Sequence, residues 1–66
     1  MKVNVNDVVI DVTDEKPNVN LIAELIGLST SDMLSVTVNS EHIPSADYSK
    51  TIIKPNDDII IYFCAF

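Results

Sequence analysis

Few side chains in this sequence could do chemistry, and their spacing limits what that chemistry could be. Cys64 is the only thiol and His42 the only histidine. A nucleophilic thiol needs a basic neighbour to hold it as thiolate. Cys64 instead sits in the apolar run Ile59-Ile60-Ile61-Tyr62-Phe63-Cys64-Ala65-Phe66, where it reads as a small buried hydrophobe. His42 follows Asn39-Ser40-Glu41 with no second ligand at a metal-binding spacing, and reads as a solvated turn residue. The carboxylates Asp14-Glu15 and Asp57-Asp58 are adjacent in sequence. Such neighbours point apart on a strand or helix, so neither pair makes an acid/base couple or a metal clamp. A phosphate-cradling loop is also excluded, because Gly27 is the only glycine. No catalytic residue, cofactor or metal site is expected, and the protein should act through its surface.

Composition narrows the class of partner. A chain of 66 residues makes one small domain, residues 1–66, and a domain of that size buries only about 60 % of the surface its unfolded chain exposes. The net charge of −6 repels phosphate, and the lysines at 2, 16, 50 and 54 are scattered, so nucleic acid is not an expected ligand. A basic protein surface suits that charge better. No stretch approaches the roughly 18 apolar residues of a membrane span. The start of the chain lacks a basic region followed by an apolar one, and a lone cysteine forms no intrachain disulfide, so a cytoplasmic protein is expected.

The elements that would position this surface are organised around the closing apolar run. Its β-branched and aromatic content suits a strand buried on both sides, flanked by other strands and covered by a helix. Met1 to Val12 reads as a hairpin. A two-residue turn at Asn6-Asp7 sets Val5 opposite Val8, Val3 opposite Ile10 and Met1 opposite Val12 on an apolar face. Lys2 then meets Asp11 and Asn4 meets Val9 on the other face. Asn18 caps a helix that begins at Val19 and closes at Gly27, with Val19, Ile22, Ala23 and Ile26 in one stripe toward the sheet. Leu21 and Leu25 fall nearly opposite, either as scattered surface residues or as a partner-binding stripe.

Leu34 to Val38 alternates as a strand with one wet face, and Ile43 opens a short edge piece that Pro44 ends. Ser45 to Tyr48 reads as one helical turn capped by Ser45, with Tyr48 plugging the core. Pro55-Asn56-Asp57 is a tight turn into the final strand. The resulting order predicts an α+β, ubiquitin-like β-grasp: a mixed four- to five-stranded sheet with one main helix on one face. Its last strand lies between the first and third.

The stretch Val36-Thr37-Val38-Asn39-Ser40-Glu41-His42-Ile43-Pro44, then Tyr48, then Asn56-Asp57-Asp58-Ile59-Ile60, resembles the ThiS sulfur carriers of thiamin biosynthesis. That family reads apolar-x-apolar-Asn-Gly-Glu-x-apolar-Pro, an aromatic, and Asp-Gly-Asp before the last strand. The likeness spans nearly the whole chain. The molybdopterin-synthase small subunit and TGS domains share parts of the pattern. Ser40 and Asp57 replace two turn glycines, beside Asn39 and Asn56, which tolerate left-handed backbone.

The resemblance implies a carrier and not an enzyme. An E1-like adenylating enzyme activates the family's C-terminal Gly-Gly, and the resulting thiocarboxylate delivers sulfur to thiazole synthase. Here Cys64-Ala65-Phe66 closes the sequence without that diglycine, so this chain is expected not to form a thiocarboxylate as it stands. The alternative is a non-carrying β-grasp module that binds or regulates a protein. Either way, the register of the family pattern at Asp58 turns Ile60 and Tyr62 toward the helix and Ile59, Ile61 and Phe63 to the opposite, open face. With Leu21, Leu25 and Phe66 these are the expected partner-binding residues, and the open face would also suit a homodimer.

Overall fold

The computed structural model describes residues 1–64. Its first element is the hairpin of β1 (Lys2–Val5) and β2 (Val8–Asp11), in the predicted register: Lys2 pairs with Asp11, Val3 with Ile10, Asn4 with Val9 and Val5 with Val8. Asn6 (φ 50°) and Asp7 (φ 65°) both adopt left-handed backbone. That is the type I′ geometry whose twist matches the strands, and Asn and Asp are the side-chain-bearing residues that tolerate it best. Lys2 and Asp11 face each other, but the carboxylate of Asp11 receives the N-terminal ammonium, 3.3 Å away.

Helix α1 (Val19–Leu25) starts where Asn18 predicts it: the Asn18 side chain accepts the Leu21 N–H at 2.8 Å. Its last residue is Leu25, with Ile26 as the C-cap and Gly27, the expected closing glycine, just beyond. Gly27 takes φ 84°, and Leu28 N–H bonds the Ala23 carbonyl while Gly27 N–H bonds that of Glu24. These paired bonds are a Schellman motif, which satisfies two carbonyls that the helix end leaves free.

Strand β3 (Met33–Val38) follows a 3₁₀ turn at Thr30–Asp32 and turns through Asn39-Ser40 into β4 (Glu41–Ile43). Its expected alternation breaks at Leu34. Met33 pairs with Phe63 but Ser35 with Tyr62, so Leu34 is the extra residue of a β-bulge. Leu34 is exposed, while Met33 packs against the core. The turn at Ser45–Asp47 is 3₁₀, with Pro44 at its N-cap and no capping side chain, so Ser45 does not cap it as expected. Tyr48 does plug the core.

Strand β5 (Asp58–Phe63) lies parallel to β1 and antiparallel to β3 in a sheet of order β2-β1-β5-β3-β4, the central position predicted for it. The architecture is the expected β-grasp, with five strands and one α-helix among the described residues. The expectation of burial on both faces is corrected: only Ile59 and Ile61 are buried, packed with Val19, Ile22 and Ala23 of α1 and with Val3, Val5 and Val36 of the flanking strands. Burying one such isoleucine stabilises by about 1.5–3 kcal/mol relative to leaving it exposed. One helix covers one face, and nothing among the described residues lies over the other.

Candidate protein-docking surfaces

The placement of each side chain on β5 follows from a pleat of period two. Asp58, Ile60 and Tyr62 share one face, and a carboxylate does not pack under a helix, so this set turns to solvent: Ile60 is 36 % and Tyr62 55 % exposed. Ile59 and Ile61, expected on the open face, are instead core residues, at 0 % and 2 %. The facing expected from the family pattern is therefore inverted. The sequence carried a signal for this, since Asp58 opens the strand and marks its wet face.

Two asparagines from neighbouring turns lock β5 in this register. Asn6 Oδ1 accepts the Ile61 N–H at 2.8 Å, and its amide donates to the Ile61 carbonyl at 3.2 Å. These bonds continue the β1 ladder past its last backbone pair, Val5 with Ile59. Asn39 Oδ1 accepts the Asp58 N–H at 2.9 Å, and its amide donates to the Asp57 carboxylate at the same distance. The other oxygen of that carboxylate accepts the Lys54 N–H, which closes the Pro55-Asn56 turn. The carboxylate of Asp57 is thus engaged within the turn, while Asp58 opens β5 with an exposed side chain.

On the open face Ile60 lies opposite Thr37 and Tyr62 opposite Ser35, with His42 beyond Thr37. Ile60 and Tyr62 thus form a small exposed apolar centre framed by hydroxyl and imidazole groups. Phe63 is 42 % exposed but lies on the helix side, beside Ile26 and Leu28. Leu25 is 54 % exposed and Leu21 half-buried. The expected site residues are thus dispersed: Ile59 and Ile61 in the core, Leu21, Leu25 and Phe63 along the helix side. Phe66 lies outside the described residues.

Cys64, expected to be buried, is exposed beyond the end of β5, where its N–H donates to the Asp32 carbonyl at 2.9 Å. Among the described residues no group of His, Cys, Asp or Glu is arranged to hold a metal ion. No helix among them is long and apolar enough to cross a membrane.

No family model matches the sequence, and no curated protein matches it. Solved structures do. The crystal structure of the thiamine biosynthesis protein ThiS from Geobacter metallireducens superposes with a TM-score of 0.80 at 20 % identity, covering 100 % of this chain and 97 % of that one. The NMR solution structure of a thiamine biosynthesis protein from the same organism gives a TM-score of 0.77 at 19 % identity, covering 100 % of this chain and 86 % of that one. Over its whole length the chain is similar in fold to ThiS, with the helix and mixed five-stranded sheet that make a β-grasp.

Proposed function

We propose that this protein is a ThiS-like sulfur-carrier scaffold: one domain, residues 1–66, that works by docking on other proteins and contributes no catalytic group. Its partners on this reading are an E1-like adenylating enzyme and a thiazole synthase, reached through the open face around Ile60 and Tyr62. The supporting observation is the full-length likeness in fold to the Geobacter metallireducens ThiS structure, with β5 held mid-sheet by both hairpins. In a carrier the protein supplies position, while the partner enzyme and ATP supply the chemistry.

A non-carrying binding module is the second reading. It is favoured by composition: Gly27 is the only glycine, so no diglycine stands among these residues.

Intact mass after incubation with an E1-like enzyme, a sulfur donor and ATP separates the two. The chain as it stands should bind and stay unmodified. The same chain with two glycines appended should gain an adenylate and then exchange oxygen for sulfur. Binding by both chains with modification of neither would overturn carriage and leave the binding module.

A further inference from the structure

The sheet edge at β2, with the side of α1 beside it, makes a surface distinct from the open face. Across a two-residue turn the flanking residues exchange both ladder bonds, and bonded and non-bonded pairs then alternate. Val5 and Val8 flank the turn, so Val3 and Ile10 are the next bonded pair. The 2.7 Å bond from Val12 N–H to the Met1 carbonyl keeps the same parity. Val9 and Asp11 therefore turn their N–H and C=O groups away from β1, and β2 is the last strand on that side of the sheet.

The two edges are treated differently. Strand β4 has three residues and is followed by Pro44, which has no N–H to offer a further strand. Strand β2 carries no proline, lysine or bulge, and its Val8 and Val9 are each 60 % exposed. Beside β2, Val8 and Ile10 face Ile26 and Leu28 across an apolar groove of about 430 Å³. Farther along the same two walls, Leu21 and Leu25 line a depression that ends at Asp11 and Asp14.

We propose that the β2 edge and α1 form a docking groove for an extended, basic segment of another protein, which joins the sheet as a sixth strand. Backbone bonds to Val9 and Asp11 would hold the segment, and its alternate apolar side chains would enter the groove. Charge selects the occupant. Asp7 stands at one end of the edge and Asp14 at the other, beside Asp11, whose carboxylate already holds the N-terminal ammonium, on a chain of net charge −6. A second copy would bring like charge to like, whereas a lysine-flanked segment complements both ends. The proposal concerns a different surface from the open face and does not depend on sulfur carriage.

The test is a titration of the ¹⁵N-labelled protein with the synthetic peptide Lys-Lys-Val-Thr-Val-Thr-Val-Lys-Lys. Two control peptides accompany it, one with glutamate in place of lysine and one N-methylated at every valine and threonine. The amide signals of Val9 and Asp11 should shift and their hydrogen exchange should slow. The glutamate peptide should bind about tenfold or more weakly. The N-methylated peptide keeps the charge but not the ladder donors, and should also fail. Val9→Pro removes an outward N–H without touching the bonds to β1 and should abolish binding. Leu25→Lys, at an exposed position that leaves folding intact, should weaken it about tenfold. Shifts centred on Ile60 and Tyr62, or equal binding by the glutamate or N-methylated peptide, would overturn the proposal. So would a protein that dimerises alone with Val9 and Asp11 protected, since the edge would then belong to a second copy.

Discussion

The two hairpins of this molecule are built to one plan and finished differently. Each turns on two residues in left-handed backbone, Asn6-Asp7 in one and Asn39-Ser40 in the other, and in each the first residue is an asparagine whose side chain reaches β5. Asn6 bonds both backbone groups of Ile61, in the middle of the strand and partly buried. Asn39 bonds Asp58 at the strand's start, in an exposed setting. The outer strands diverge further: β4 is short and closed by Pro44, and β2 is longer and bare. The central strand is thus clamped from both sides, but only the first hairpin combines a partly buried clamp with an edge strand that no proline closes.

Cutting into the shared element should have the largest effect. Ile59→Ala removes a fully buried side chain that packs with strands of both hairpins and with α1. A loss of about 2–5 kcal/mol is expected from urea unfolding. A domain of this size has roughly 0.05–0.15 kcal/mol of stability per residue, so much of the chain should unfold. A loss confined to one hairpin, with the other still protected from hydrogen exchange, would show that β5 does not couple them.

Asn6→Ala comes next. It leaves the Ile61 N–H and carbonyl without partners in a partly buried place, and about 1–3 kcal/mol should be lost. Asn39→Ala strips exposed bonds that water can replace, and should cost about 0.5–1.5 kcal/mol. Equal losses in the same unfolding assay would erase the claimed difference between the clamps. The smallest effect has the opposite sign. Ser40 holds φ 70° with a Cβ that disfavours it, so Ser40→Gly should raise stability by about 0.5–1 kcal/mol, read as a higher thermal midpoint.

Much of the fold was legible because its signals are local. Asn6-Asp7 between alternating valines specified both a turn type and a register, and the observed pairs agree residue by residue. Asn18 before Val19 specified the start of the helix. The candidate site was far less legible. Ile59 and Ile61 were expected on the open face because Ile59 to Phe66 has no polar residue to set its parity, and only Asp58, one residue upstream, marks the wet side. Leu34 looked like a core residue by alternation, and a bulge against β5 displaced it. Cys64 looked buried because its neighbours are apolar, yet the strand ends at Phe63.

By itself, then, the sequence determined the turns, the helix and its start, and the central place of the last strand. Each rests on the conformational preference of a few adjacent residues or on the crossover that follows from element order. Only the tertiary structure decided which face of β5 is covered, where β3 slips by one residue, and that β2 and α1 enclose a groove. Those features depend on contacts between residues far apart in sequence. A uniformly apolar strand meets such contacts equally well in two orientations until its neighbours, here Asn6, Asn39 and the valines of β1, select one.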